Sequence, residues 1–159
     1  MNKVIRVEKE MLPQIAEIQK RVYAHFLDNE PWTQQTALAF MEYSYNLQPD
    51  LFFVLLHDDQ IAGYIIGCIK PWSDGNHLMC EELVIDFPHQ GKGLAQFLSI
   101  RIVEEALKKY NVTAVEAQTY ENEAGSPMKM YKQVGFKQQH YFLIKADAKK
   151  LLENLSVYQ

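Results

Sequence analysis

The stretch LVIDFPHQGKGLAQFL, residues 83–98, decides the fold, because a strand enters a long helix through a glycine-rich turn. The apolar and β-branched residues up to Ile85 indicate a strand. From Leu94 to Tyr110, apolar residues recur at helical spacing. The intervening QGKGLA has small residues that let a backbone approach a phosphate, and the helix start supplies unpaired N–H groups. The pattern predicts either a phosphate-binding turn or a turn that only begins the helix.

Two common phosphate-binding motifs do not fit this turn. A Walker A loop needs a serine or threonine directly after its Gly-Lys pair, and none follows here. A dinucleotide fingerprint needs a third glycine at the position where Gln96 stands. What remains is the pattern Q-x-x-G-x-A, formed by Gln90, Gly93 and Ala95. Lys92 adds a positive side chain to it.

The other periodic segments predict a single α+β domain over residues 1–159, without repeats or linkers. Strands are predicted over 3–7, 51–56, 61–70, 77–86, 112–119 and 136–146, and helices over 11–26, 34–46, 94–110, 126–135 and 147–155. The short helix at 126–135 has Ser126 as a predicted N-cap, Pro127 in its first turn and Gly135 beyond its end.

Composition narrows the classes of function. The net charge of −4 argues against nucleic acid as a partner and is compatible with a cationic substrate, although solubility alone accounts for it. No apolar run is long enough to cross a bilayer, so no membrane role is predicted. The cysteines and scattered histidines form no metal-ligand spacing. The N-terminal MNKVIRVEKE reaches an acidic residue by Glu8, so no signal peptide is predicted and a cytoplasmic location is expected.

The turn resembles the acetyl-CoA motif of the GNAT superfamily of N-acetyltransferases, a strand followed by [RQ]-x-x-G-x-[GA] and a long helix. The family's next motif, Y-x-x-x-G-F on a short helix, is matched by Tyr131, Gly135 and Phe136. The order of a strand, two helices and three antiparallel strands upstream is also similar. The resemblance implies an α+β fold with a mixed, mostly antiparallel sheet of about six or seven strands, flanked by helices on both faces.

The resemblance also implies acetyl-CoA as cosubstrate and direct attack of an amine on its thioester. Tyr131 stands at the family's general-acid position, and Asn122 is a candidate cofactor contact from the preceding loop. A carboxylate or a chain of water molecules should receive the amine proton, because an alkylamine stays protonated up to about pH 10.4. The remaining cofactor-binding residues that the resemblance implies are Leu83, Val84, Ile85, Gln90, Gly91, Lys92, Gly93, Leu94 and Ala95.

Glu81 and Glu82 are the candidate catalytic bases, and as neighbours on a strand they are expected to face opposite sides of the sheet. A turn centred on Asp74 pairs residues whose numbers sum to 148, which places Gly67 opposite Glu81 and Gly63 on the same face. Glycines in a strand leave room for a ligand, so this register favours Glu81 over Glu82 as the base. A bulge in the strand would exchange the faces.

The same register places Cys68 opposite Cys80. Directly opposed strand positions are awkward for a disulfide, and a cytoplasmic chain keeps its thiols reduced. Two free, mostly buried thiols are therefore expected.

The acceptor is predicted only in outline. The loop between the first two helices borders the acceptor site in similar proteins, and here it contains Asp28, Glu30 and Trp32, which suit an alkylammonium ligand. An ordinary exposed loop explains the same residues equally well. The leading hypothesis is transfer of an acetyl group to the primary amine of a small cationic molecule. The alternatives are acetylation of a protein N-terminus or lysine, a CoA-binding regulatory module without catalysis, and an interaction domain whose C-terminal segment forms a homodimer.

Overall fold

The structure is a computed structural model that describes residues 1–26, 31–119, 127–139 and 144–156. Residues 1–118 form one compact unit and residues 119–159 another. A single functional domain over the whole chain stays a prediction. Within the described ranges, no helix has both the length and the apolar character that crossing a bilayer requires.

The first unit contains a five-stranded sheet with strand order β1-β2-β3-β4-β5. Its elements are β1 (Asn2–Arg6), α1 (Leu12–Phe26), α2 (Gln34–Leu47), β2 (Phe52–His57), β3 (Gln60–Trp72), β4 (Gly75–Ile85), α3 (Leu94–Tyr110) and β5 (Val112–Ala117). Strands β1 to β4 pair antiparallel, and β5 pairs parallel with β4. The second unit contains α4 (Pro127–Gln133) and α5 (Ala148–Ser156).

The predicted α+β class and mostly antiparallel sheet are confirmed, with slightly fewer strands than the six or seven expected. Of the strand predicted over 136–146, the described residues 136–139 and 144–146 are not in a strand. Its central residues, and the proposed N-cap Ser126, lie outside the described residues.

Helices cover both faces of the sheet, as predicted. One face packs against α1 and α2, whose buried apolar side chains recur at helical spacing. The other face packs against α3 through Leu94, Leu98, Ile102 and Ala106. This arrangement fixes the glycine-rich turn at the point where β4, the central strand of the predicted site, leads into α3.

The β3–β4 hairpin changes register once. Near its turn, Trp72 pairs with Gly75 and Gly67 pairs with Cys80, so paired residue numbers sum to 147 there. Further along, Ile66 pairs with Glu82, and the sum becomes 148 up to the last pair. Glu81 therefore has no partner residue in β3 and forms a β-bulge.

The observed register corrects two sequence predictions. Cys68 lies opposite Met79, not opposite Cys80, and Gly67 does not lie opposite Glu81. The physical reason is a two-residue turn where a turn centred on one residue was assumed. Both cysteines are free, as expected, but they are half-buried.

The glycines of β3 leave no room for a ligand. A Cβ atom at Gly67 would lie 2.8 Å from Cδ1 of Ile102 on α3, and one at Gly63 would lie 2.6 Å from Cδ1 of Ile85. Side chains of the core already fill the space above both positions. The predicted acceptor space over these glycines is therefore wrong.

Candidate active site

The glycine-rich turn has the backbone conformation that its sequence requires. Gly91 and Gly93 both have positive φ values, of 73° and 72°, and Gly93 is the N-cap residue of α3. Residues other than glycine are strained in this left-handed region of backbone conformation. A Cβ atom at either glycine would have no described atom of the chain within 4 Å, so among the described residues the backbone borders open space.

This open turn fits a pyrophosphate. The first N–H groups of a helix have no intrahelical partner, and the helix dipole favours an anion at the same end. Leu94 buries its side chain, whereas Ala95 is half-exposed and small. The predicted cofactor-binding residues 90–95 therefore lie together at the N-terminus of α3.

Two side chains of the turn brace its own backbone. The amide of Gln90 donates to the carbonyl of Ile85 at 2.8 Å, and the ammonium of Lys92 donates to the carbonyl of Pro88 at 2.8 Å. Both side chains are exposed, as an electrostatic contact with a phosphate requires. In this structure their polar ends support the shape of the turn.

Strand β4 separates from β5 just before the turn. The parallel pairing of the two strands ends at Cys80 and Ala117. Within the described part of the chain, residues 81–85 of β4 have a strand neighbour only on the β3 side. Leu83, Val84 and Ile85, which the resemblance assigns to the cofactor, therefore lie where the sheet opens.

Both candidate carboxylates lie on the α1–α2 side of the sheet, contrary to the expectation that they face opposite sides. Glu82 accepts a hydrogen bond from the hydroxyl of Tyr23 on α1. Oε1 of Glu81 lies 3.5 Å from Sγ of Cys68. Gly67 faces α3, and side chains alternate along a strand, so Cys68 and the carboxylate of Glu81 beside it face the α1–α2 side. A β-bulge explains this arrangement, since it places two consecutive side chains where a regular strand would place one. Glu81 is exposed and Glu82 is half-buried.

A second phenol lies on the same face. Tyr64 on β3 is fully buried and donates its hydroxyl hydrogen to Oε1 of Gln19 on α1. Burial raises the pKa of Tyr64 well above its usual range, and the charge of Glu82 acts in the same direction. Tyr64 thus stays neutral at physiological pH and serves as a hydrogen-bond donor to Gln19.

Trp32 packs beside this cluster. Its ring packs edge-to-face against the ring of Tyr23, with 6.3 Å between the centroids. It also packs against the ring of Phe40 on α2, with 5.5 Å between the centroids. The other two predicted acceptor residues, Asp28 and Glu30, lie outside the described residues. Of the three, the structure therefore relates only Trp32 to the carboxylates, through Tyr23.

The remaining predicted residues belong to the second unit. Tyr131 lies on α4 and contacts the ring of Phe136, with 5.0 Å between centroids. The N–H of Phe136 donates to the carbonyl of Tyr131 at 3.0 Å, which closes the C-terminal end of α4. Asn122 lies outside the described residues. The assignment of Tyr131 as a general acid stays a prediction.

The residues predicted for the site do not include Tyr23, Tyr64 or Gln19. Polar residues on the buried side of a helix or strand carry no local signal, because their partners are distant in the chain. Tyr23 and Glu82, for example, are 59 residues apart. The sequence does carry one signal for Gln19: it lies four residues after Ile15 and three before Val22, so helical spacing places it on the apolar face of α1, where the structure has it completely buried.

Solved structures with the same fold are numerous, and three show its range. A possible acetyltransferase from Clostridium difficile 630 has a TM-score of 0.75 at 12% identity, covering 93% of this chain and 98% of that chain. Aminoglycoside N-acetyltransferase AAC(6')-Iy in complex with CoA has a TM-score of 0.71 at 15% identity, covering 93% and 95%. Ribosomal-protein-alanine N-acetyltransferase from Brucella melitensis biovar Abortus 2308 has a TM-score of 0.68 at 14% identity, covering 92% and 100%. At such identities the likeness shows the fold.

The family follows from the sequence. Comparison with curated protein sequences finds no match. The sequence model of the acetyltransferase (GNAT) family matches residues 12–136, which include α1, the whole sheet after β1, the glycine-rich turn and Tyr131. Because the match covers most of the chain, the protein belongs to the acetyltransferase (GNAT) family and is an acyltransferase that uses acetyl-CoA.

Proposed function

We propose that the protein transfers the acetyl group of acetyl-CoA to the primary amine of a small cationic molecule. The observation that carries this proposal is the pair of carboxylates on one face of β4, directly before the glycine-rich turn. One of them, Glu82, is half-buried and held by Tyr23, and Trp32 packs against Tyr23. A carboxylate beside aromatic rings is a favourable environment for an alkylammonium group.

The cofactor would be held by the turn and by the open part of β4. The N–H groups at the start of α3 and the side chain of Lys92 suit the pyrophosphate, and the backbone of residues 83–85 suits the pantetheine arm. When bound, acetyl-CoA supplies an acetyl group activated as a thioester. The N–H groups of this strand would polarise the carbonyl oxygen, because developing negative charge is stabilised by donors that are already in place.

Glu82 is the better candidate for the group that receives the amine proton. Tyr23 holds its carboxylate in one orientation, and proton transfer depends on a donor and an acceptor in fixed positions. Glu81, which the sequence analysis preferred, is exposed, and the register that favoured it is wrong. Its carboxylate lies on the same face, so it is the alternative base. The prediction that Tyr131 protonates the leaving thiolate completes the proposed reaction.

The finer setting of the enzyme is also proposed. We expect the whole chain, residues 1–159, to act as one catalytic domain in the cytoplasm, where two free thiols stay reduced. Neither nucleic acid nor a membrane is expected as a partner. Sedimentation of the purified protein distinguishes a monomer from the homodimer that the C-terminal segment could form.

A screen of amines with acetyl-CoA tests the proposal. The enzyme is incubated with acetyl-CoA and single amines, and the released thiol is measured with a chromogenic disulfide. Small diamines and amino sugars form one arm, and peptides with a free N-terminus or an internal lysine form the other. Turnover with a small amine supports the proposal, whereas turnover confined to peptides shows that the protein-acetyltransferase alternative is correct.

A further inference from the structure

Asp86 organises the junction between β4 and the glycine-rich turn. Its N–H donates to the carbonyl of Ala62 on β3 at 2.9 Å, and its carbonyl accepts from the N–H of His89 at 2.8 Å. Oδ1 of its side chain accepts from the N–H of Phe87 at 3.0 Å. The side chain is only 10% exposed. The path of the chain into the turn therefore depends on this residue.

A single cation from another element holds the Asp86 carboxylate. Nε of Arg21 on α1 lies 3.0 Å from Oδ1, and Nη2 lies 2.7 Å from Oδ2. A guanidinium bound through two nitrogens fixes the plane of a carboxylate as well as its position. One helical turn later, the ring of His25 packs against the ring of Phe87, with 4.7 Å between centroids. The end of α1 is thus attached to the start of the turn at two points.

The charge of Asp86 makes this attachment relevant to the cofactor. A nearly buried carboxylate at the base of an anion-binding turn opposes the binding of a pyrophosphate unless a cation compensates it. Arg21 supplies that cation, and the hydrogen bond with Asp86 raises the pKa of the guanidinium further.

We propose that Arg21 is a positioning residue for the cofactor turn. It orients Asp86, which holds the 87–89 segment at the entry to the turn through the N–H groups of Phe87 and His89, and it cancels the carboxylate charge beneath the pyrophosphate. This inference rests on the proposed binding of CoA at the turn. It gives α1 a second role beyond packing, because the helix that holds Glu82 through Tyr23 also holds the start of the cofactor site.

Calorimetric titration of the full-length protein with CoA tests this role. Replacement of Arg21 by Ala should raise the dissociation constant by roughly 10- to 100-fold, the range expected when a charge-assisted pair is lost. The matched control is Lys20→Ala, which removes a positive charge from the position of α1 directly before Arg21 and breaks a surface ion pair with Glu17. That variant should bind CoA as the wild type does.

A second variant separates the charge effect from general stability. In Arg21→Ala combined with Asp86→Asn, the amide oxygen can still accept from the N–H of Phe87, but the uncompensated charge is gone. CoA affinity should then recover in part. A purely structural role predicts instead a lower melting temperature with an unchanged dissociation constant for the folded protein, and that result, or no recovery, overturns the inference.

The outcomes also distinguish the inference from the function on which it rests. If the wild-type protein does not bind CoA, the proposed function fails. If the wild type binds CoA and Arg21→Ala binds it equally well, only the role of Arg21 is wrong. Should Arg21→Ala not fold, Arg21→Lys replaces it, since lysine keeps the charge but has a single nitrogen and cannot form the planar contact through two nitrogens. A several-fold increase in its dissociation constant supports the inference, and an unchanged value overturns it.

Discussion

The hydroxyl of Tyr23 on α1 donates a hydrogen bond to the carboxylate of Glu82 on β4. This contact joins the helix that precedes the predicted acceptor loop to the strand that leads into the cofactor turn. It also restrains one of two neighbouring carboxylates and leaves the other exposed. The two glutamates are therefore not equivalent, although the sequence places them side by side.

This difference leads to a prediction for the two glutamates. Glu82→Gln should lower turnover by about 10²-fold or more, because the amine then lacks its proton acceptor. The loss should be greatest at low pH, where less of the amine is already deprotonated. Glu81→Gln is the matched control and should leave the pH–rate profile nearly unchanged. The reverse result would identify Glu81 as the base.

The glycine-rich turn gives a prediction about binding. Gly93→Val should abolish the increase in melting temperature that CoA produces by mass action, because a side chain would occupy the open space at a strained backbone position. Asn111→Val is the control, since Asn111 has a left-handed backbone (φ 49°) at the other end of α3. That variant should lose stability and still respond to CoA. A wild-type protein that does not respond to CoA would contradict cofactor binding at this turn.

A third prediction concerns Tyr131. If its hydroxyl protonates the leaving thiolate, Tyr131→Phe should bind CoA normally and turn over about 10²-fold more slowly. The comparison requires conditions in which the chemical step limits the rate. Phenylalanine preserves the ring contact with Phe136, so an unaltered rate would mean that Tyr131 serves packing alone.

The pH dependence of stability should contain a contribution from His77. Its Nδ1 lies 2.6 Å from Glu116 and its Nε2 lies 2.8 Å from Asp74, and only a protonated imidazole can donate to both. The hydrogen bonds to Glu116 and Asp74 raise the pKa of His77 above its ordinary value of about 6.5.

The sign of this effect follows from linkage. Because the native pKa is raised, the stabilisation is complete below about pH 6.5 and is lost as the pH rises through the native pKa. The free energy of unfolding, measured by denaturant titration from pH 5 to 9, should decline over that window in the wild type. His77→Gln should remove the contribution of His77 to this decline. An identical dependence of the free energy of unfolding on pH in the two proteins would contradict the prediction.

The fifth prediction concerns the thiols. Burial raises the pKa of Cys68 to about 11 and that of Cys80 to about 12. Because the thiolate is the reactive form, a thiol reagent at pH 8 should label the native protein slowly. Under denaturing, non-reducing conditions it should find two thiols. Recovery of none would reveal a disulfide and contradict the reducing location as well.

Local features of the sequence predicted most of the fold. The helices and the first five strands follow from hydrophobic periodicity, and the turn follows from Gly91 and Gly93, whose positive φ values only glycine adopts readily. The contacts of the site are different in kind. Arg21 and Asp86 are 65 residues apart, and no local pattern relates them.

Local sequence patterns predicted the register of the β3–β4 hairpin only in part. The pairs on the far side of the bulge, such as Gly63 with Ile85, were predicted correctly, and those between the bulge and the turn were wrong by one residue. A bulge at a pair of glutamates has no signature in the sequence, since either residue could be the extra one. The choice between Glu81 and Glu82 depended on that single residue.

The bulge also determines which residue the β3–β4 hairpin can lose without a change in its strand pairing. Without Glu81, Cys80 and Glu82 would become consecutive residues of a regular strand opposite Gly67 and Ile66, and each would keep its present face. Glu81 is thus an insertion that adds one acid to the α1–α2 side while the core contacts on both sides of it stay in place. Deletion of Glu81 should leave the fold intact and the core packing unchanged. The site would then contain one carboxylate in place of two.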